Sequence, residues 1–260
     1  MCKSNLEVIR MKYGRIKEME EYIKEHASVS NDELLSIFNI SIQTLRRDLK
    51  TLEEQGIVSK VYGGVVYNTN DQKNVVSPIM ERKNVSSKEK EYIGKLAADQ
   101  VVDGDVIFID SGTTAYRMIP FLKNKKNVTV ISHSLDVMNT LLEYPMITGV
   151  CSGGTLMTDS ATFLVDTSYY PYNYNKSFIS TVGISVSRSF TNTNLHEGKM
   201  KQHAIEHSSK VYIVADHSKF DVIAFNHFAD YADINAVITD RQPSERYMRI
   251  FDSNQIKVIF

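Results

Sequence analysis

Seven short apolar runs constrain this chain more than any other feature. They are Val106–Ile109, Val128–Ile131, Ile147–Cys151, Phe178–Val182, Val211–Val214, Ala236–Ile238 and Ile256–Ile259, each separated from the next by turn residues and a segment of helical character. A strand that is apolar throughout has to be covered on both faces, and strands alternating with helices are joined by crossovers. The pattern therefore predicts a doubly wound, mostly parallel α/β sheet. Ligands in such sheets bind beyond the carboxyl ends of the strands. The residues there are Asp110-Ser111-Gly112-Thr113-Thr114, Ser132-His133-Ser134, Ser152-Gly153-Gly154-Thr155, Gly183, Asp216-His217-Ser218-Lys219 and Asp240, nearly all small or hydrogen-bonding.

The sheet accounts for the second part of the 260 residues and leaves room for a smaller unit before it. With 42% hydrophobic and 23% charged residues, the composition is that of an ordinary globular chain, not of a disordered or fibrous one. No stretch approaches the ~18 unbroken apolar residues of a membrane span. Met1 to Arg15 is charged throughout, so a secretory signal is not expected either. Cys2 and Cys151 build neither a disulfide framework nor a zinc cluster, which fits a reducing, cytoplasmic setting. Net charge is -1, so any nucleic-acid contact has to come from local sorting of basic residues.

Such sorting is visible near the N-terminus. Ile16, Met19 and Ile23 recur at helical spacing and predict an amphipathic helix from Tyr13 to Lys24. Ser30 and Glu33 form a capping box ahead of a short helix, Asp32 to Phe38, in which the Ser hydroxyl accepts from a backbone N–H and the Glu reaches back. After Asn39-Ile40, Ser41 caps a third helix with apolar positions Ile42, Leu45, Leu49 and Leu52, and Gly56 suits the residue after its end. Ile57 to Tyr67 reads as a hairpin turning at Gly63-Gly64. Three helices and a hairpin describe a winged helix-turn-helix. The expected division is a DNA-binding unit over 13–68, a polar linker over 69–80 and an α/β unit over 81–260.

On the third helix Gln43, Arg47 and Lys50 point away from the leucines, with Thr44 and Arg46 on the flanks. Arginine can grip guanine bidentately in the major groove and glutamine can do the same with adenine. Ser41, Thr44 and Lys50 suit phosphate contacts, as does Lys60 on the wing. An exposed Arg-Arg pair is usually a solvated face. Here it stands on the second helix of a turn-connected pair with a wing following. Residues 1–70 hold ten basic and ten acidic side chains, so charge is sorted onto a face and not accumulated.

Phe38-Asn39-Ile40-Ser41, Thr44-Leu45-Arg46-Arg47-Asp48-Leu49, Leu52-Glu53-Glu54-Gln55-Gly56 and Tyr62-Gly63-Gly64 resemble the pattern of DeoR-type bacterial transcription regulators. The family has Gly where Asn39 stands and His where Tyr62 stands. Asp103-Gly104-Asp105, the loop Asp110–Thr114, Gly153-Gly154 and Ala215–Phe220 are similar to its sensor domain. That domain in turn resembles ribose-5-phosphate isomerase. The resemblance implies operator DNA and a phosphorylated sugar as partners, a repressor of a carbohydrate-metabolism operon, and a homo-oligomer held by the C-terminal domain. It also assigns Lys201 to the anionic ligand. Departures are Lys199 in place of an acidic residue, Ser132-His133-Ser134 in place of Thr-Asn-Ser, and Ser189 and Leu164 at or near positions where glycine is common.

Within the α/β unit, Ser111, Gly112, Thr113 and Thr114 offer backbone N–H groups and hydroxyls where a helix starts, which makes an anion cradle with Asp110 at its edge. A plain N-cap would read the same way. Ser132, Gly153, Gly154 and Lys219, at other strand ends, add to a convergent effector site. His203 and His207 stand i, i+4 without a third ligand, and are expected on a solvated helix face. No metal or cofactor is expected. Cys151 reads as buried core, and Tyr169–Tyr174 as a pocket lining, a subunit interface or a surface loop. Two function classes follow: a sugar-phosphate-responsive regulator with no catalytic residues, or an isomerase-like enzyme tethered to DNA.

Overall fold

The computed structural model describes residues 2–26, 28–55, 57–61, 64–67, 85–164, 166 and 170–260. Gly56, Tyr62, Gly63, Tyr169 and the expected linker over 69–80 lie outside them. The chain divides into two compact units, one of Met1–Val76 with Thr193–Leu195 and Ala224–Asn226, the other of Ser77–Asn192, His196–Ile223 and His227–Phe260.

The first unit runs α1 (Cys2–His26), β1 (Ser28–Ser30), α2 (Asn31–Phe38), α3 (Ile42–Glu54), β2 (Val58–Val61) and β3 (Gly64–Tyr67). Its core is Ile16, Met19, Ile23, Val29, Leu34, Leu45, Leu49, Leu52, Val58 and Val65. The first helix is longer than the sequence pattern predicts. No proline interrupts Cys2 to Tyr13, so the backbone ladder can run on toward the N-terminus. Ser30 caps α2 as expected, accepting from Glu33 N at 3.1 Å. The Glu33 carboxylate, expected to reach back to the cap, instead accepts from the Tyr22 hydroxyl at 2.9 Å. Asn39 closes α2 in the left-handed conformation (φ 46°), which explains why glycine is common there and why asparagine is tolerated. Ile42, expected in the core, is exposed, because the leucine stripe of α3 overhangs its packed partners at the first turn. Asp48 is buried in that stripe and is held at 2.8 Å by Arg15 from α1. Strand β1 was not foreseen: too short to show alternation, it pairs antiparallel with β3, Val29 opposite Val65. In the hairpin Val61 faces Gly64, so Gly64 belongs to the strand and not to the turn.

The second unit begins with α4 (Ser87–Asp99) and β4 (Val106–Ile109), then a 3-10 helix (Ala115–Leu122), β5 (Thr129–Ser132), α5 (Leu135–Leu141) and β6 (Thr148–Cys151). It continues through β7 (Thr155–Met157), β8 (Thr162–Leu164), β9 (Tyr174–Ser180), β10 (Gly183–Ser185), β11 (Ser189–Asn192), α6 (Leu195–Glu206) and β12 (Ser208–Val214). It ends with a 3-10 turn (His217–Lys219), β13 (Asn226–Ala229), a second such turn (Tyr231–Asp233), β14 (Ala236–Ile238), α7 (Glu245–Ser253) and β15 (Lys257–Ile259). All seven apolar runs enter one sheet of order β15-β14-β12-β9-β4-β5-β6, parallel at all six pairings. Ile107 and Ile109 face one core with Ile93, Ala97, Met118, Ile119 and Phe178. Phe108 faces the other, with Ile131, Ile179, Met200, Ile213 and Phe251. Each such residue contributes about 1.5–3 kcal/mol when fully buried, so neither face of the sheet can be left bare. Small antiparallel pairings, β7 with β8 and β10 with β11, are additions that the sequence reading missed.

The helix expected after Asp110–Thr114 is present and is of the 3-10 kind, because Pro120 inside it has no N–H to give and clashes with an α-helical carbonyl. One expectation fails. Cys151 is exposed and not core, because β6 is an edge strand. No helix among the described residues is long and apolar enough to cross a membrane.

Candidate functional site

In the first unit, the leucines Leu45, Leu49 and Leu52 anchor α3, which leaves Gln43, Arg46, Arg47 and Lys50 exposed on the opposite side. Ser41 caps the helix, its Oγ accepting from Thr44 N at 3.3 Å and lying 3.0 Å from Thr44 Oγ1. Two of the expected phosphate contacts carry acidic neighbours that the pattern did not reveal. Lys60 is bridged to Glu53 at 2.7 Å, and Lys50 stands 3.7 Å from Glu54. The wing lysine is thus tied to the C-terminal turn of α3.

In the second unit, the chain moves outward from β4 through β5 and β6, then returns to the other side of β4 with β9, β12, β14 and β15. The strand order reverses between β4 and β9, and in open parallel sheets that switch point is where a crevice forms. Asp110 follows β4 and Ser180 ends β9, side by side across this point. Asp110 is fully buried. Its Oδ2 accepts from Lys201 Nζ at 2.5 Å, from Ser180 N at 3.1 Å and from the Ser180 hydroxyl. Burial pushes the Asp110 carboxyl up, but the Lys201 ammonium, His133 and these hydrogen bonds more than offset it, holding the group below the ordinary carboxylate value. Lys201 also donates to Ser180 O at 2.9 Å, so two of its three donors and its charge are already engaged.

Gly112 is required here: a Cβ on it would stand 1.8 Å from Ser180 Oγ and 3.5 Å from Asp110 Oδ2. Around it, the backbone N–H groups and hydroxyls of Ser111, Thr113 and Thr114 take no hydrogen bond among the described residues. Ser132 is differently placed. Its hydroxyl donates to Ile109 O at 2.6 Å and accepts from Ser134 N at 3.0 Å, so it ties β5 to β4. Gly153 and Gly154, beyond β6, both have positive φ (73° and 102°), a backbone path that only glycine takes without strain. Lys219 is half-buried in a turn capped by Asp216.

Sequence reasoning missed Ser180; it noted Glu197 near the departure at Lys199 and His133 at a strand end, and gave neither a role. The apolar run was read on to Val182, which hid the polar strand end at Ser180. His133 is 1% exposed, and its ring lies parallel to Phe108 at 5.8 Å. Burial pushes its imidazole down, against the opposing pull of Asp110 and Glu197. Glu197 Oε2 accepts from Asn192 at 3.0 Å. His203 and His207 stack at 4.0 Å and are half-buried, not solvated, because Tyr170 packs on His203. No group of three metal-ligating side chains occurs among the described residues. Tyr170 and Tyr174 belong to the core, while Pro171 and Asn173 between them are exposed.

Comparison with known proteins adds to this geometry. The family described as the DeoR-like helix-turn-helix domain matches residues 15–71, and the DeoR C terminal sensor domain matches residues 85–241. The HTH-type transcriptional regulator IolR of Bacillus subtilis (strain 168) is 35% identical, over 95% of this chain and 99% of that protein. The glycerol-3-phosphate regulon repressor of Escherichia coli (strain K12) is 30% identical, over 92% of this chain and 94% of its own length. Among solved structures, a D-ribose-5-phosphate isomerase in complex with phospho-erythronic acid is 12% identical, over 52% of this chain and 54% of that one. Its TM-score is 0.40.

Proposed function

The chain belongs to the DeoR family of transcription regulators, and from that premise we propose that it represses a carbohydrate-metabolism operon and is released or retained by a phosphorylated sugar. The observation that carries the DNA half is the split face of α3, with three leucines inward and Gln43, Arg46, Arg47 and Lys50 exposed on the side that would meet a major groove. Arg47 and Gln43 are the base-reading candidates. Ser41, Thr44, Arg46, Lys50 and Lys60 are the backbone-positioning ones.

The effector half rests on the switch point between β4 and β9. There the unengaged N–H and hydroxyl groups of Ser111–Thr114 offer an anion cradle, with Lys219 and the Gly153-Gly154 turn as further candidates. Lys201 stays a candidate for the anionic ligand, as the family resemblance implies. Its charge is matched by Asp110, so it holds that carboxylate in place and has one donor left over. Nothing in this arrangement requires turnover, and the reading is of a sensor and not an isomerase. The winged unit covers a short site alone, and two-fold assembly through the second unit would supply paired half-sites.

The test is selection of the preferred operator from random duplexes, followed by titration of wild type, Arg47→Ala and Lys50→Ala. A bidentate base contact by Arg47 is worth about 1–3 kcal/mol and its loss relaxes specificity at one position. Loss of Lys50 weakens all sequences alike and flattens the salt dependence. Equal operator affinity for Arg47→Ala and wild type sinks the DNA reading. Release of product from a sugar phosphate by the purified chain sinks the sensor reading.

A further inference from the structure

His133 is hard to explain as a core residue. It follows β5, is 1% exposed, and neither Nδ1 nor Nε2 has a hydrogen-bond partner among the described residues. A neutral imidazole carries one donor and one acceptor, and leaving both unmatched in a buried place is destabilising. A phenyl ring would lie on Phe108 equally well without that penalty. The unmet groups are also not confined to His133. Asp110 Oδ1, on the neighbouring strand end, is buried without a partner while Oδ2 accepts three hydrogen bonds. The charged groups that act on the His133 ring are Asp110 after β4 and Glu197 and Lys201 on α6.

Resting on the sugar-phosphate reading above, we propose that His133 is a specificity-determining residue that reads the hydroxyl-bearing end of the effector together with Asp110 Oδ1. The pair holds two acceptors and one donor, each buried and without a partner among the described residues. Adjacent sugar hydroxyls, each able to give one hydrogen bond and accept two, match that set: one donates to Asp110 Oδ1 and its neighbour exchanges hydrogen bonds with the imidazole. A carboxylate in the same place has no proton for Asp110. It would lie beside Asp110 and Glu197, with the one nearby ammonium already paired. The site therefore takes an uncharged, vicinally hydroxylated end, and leaves the phosphate to the Ser111–Thr114 loop.

The test uses the full-length chain with ribose 5-phosphate, fructose 6-phosphate, glucose 6-phosphate and inorganic phosphate as probes, read by thermal shift and calorimetric titration. His133→Phe is expected to melt at or above the wild-type temperature without ligand, because two unmatched nitrogens are gone. It should bind the responding sugar phosphate about 10- to 100-fold more weakly. The smaller stabilisation by inorganic phosphate should persist. His133→Asn, which restores a donor and an acceptor, should recover part of the sugar affinity, and His133→Leu serves as the nitrogen-free variant if the phenyl ring does not fit. Wild-type sugar affinity in His133→Phe or His133→Leu overturns the inference and leaves the sugar-phosphate reading standing. Equal loss of sugar phosphate and inorganic phosphate overturns it too, by making His133 a mere support of the pocket. A wild type that responds to none of the sugar phosphates sinks that reading and this inference together.

Discussion

At the scale of single residues, two side chains carry measurable tension. Ser189 has φ 48°, a left-handed conformation that costs a non-glycine residue about 1–2 kcal/mol. The family's glycine at this position now has a physical reason. Ser189→Gly removes that strain, at the expense of greater unfolded-chain freedom and a 3.3 Å hydrogen bond to Asp230. The three contributions nearly cancel, so Ser189→Gly is expected to stay within about 1 kcal/mol of wild type, whereas Ser189→Ala loses the bond, keeps the strain and is the less stable of the two. Urea unfolding of the two variants beside wild type checks that order. The second tension is the depressed imidazole of His133, which faces Asp110, Glu197 and Lys201. Below about pH 6.5, the ordinary imidazole value, the unfolded chain takes up a proton that the folded one resists. The unfolded state then binds more protons, so stability falls as pH is lowered through that value. His203, depressed by burial as well, acts in the same direction. Asp110 works at a lower pH, since its stabilisation is complete above the ordinary carboxylate value and is lost as pH falls through its lower folded one. The urea midpoint should therefore drop between pH 7.5 and 5.5, and His133→Phe should drop less; parallel declines in the two proteins would remove His133 from the account.

At the scale of elements, the recognition helix and the wing are joined by the Lys60–Glu53 bridge. Both groups are exposed enough that the pair adds little stability, about 0–1 kcal/mol. Its consequence is for DNA, because Glu53 competes with phosphates for the wing ammonium. Glu53→Gln should raise affinity for operator and unrelated duplex alike, most at low salt, and Lys60→Gln should cancel the gain. Anisotropy titrations across a salt series decide it: a gain confined to the operator would mean that Glu53 touches bases. These elements also show what a sequence makes legible. All seven strands of the main sheet could be read, because a strand buried on both faces is apolar without interruption. Ser30 and Ser41 could be read as caps, because capping requires a hydroxyl at one position. Strand ends were less certain, since Val182 extends the apolar run beyond the ladder at Ser180. Ion pairs such as Arg15–Asp48 and Lys201–Asp110 join residues far apart in sequence, and no local pattern encodes them. The exposure of Cys151 depended on which strand lay at the edge, a property of the sheet order and not of β6 itself.

At the scale of the whole molecule, the question is how a sugar phosphate at the proposed site between β4 and β9 would change the affinity of α3 for DNA. Tight binding alone changes nothing: the effector shifts the equilibrium only if it binds the DNA-competent and DNA-incompetent arrangements unequally. Couplings of this kind amount to about 1–3 kcal/mol, several-fold to a hundredfold in operator affinity. Because coupling is a property of one thermodynamic cycle, it has to appear from both sides. If a sugar phosphate weakens operator binding by some factor, saturating operator must weaken the binding of that sugar phosphate by the same factor. Calorimetric titration of the effector into free protein and into the operator complex measures the second factor, and anisotropy with and without effector measures the first. Equal factors are expected for wild type, with both reduced toward unity in Gly112→Ala, whose added methyl collides with Ser180 in the proposed effector site. A sugar phosphate that binds the free protein and the operator complex equally would be a passive occupant, and the control of DNA binding would then have to lie with another ligand.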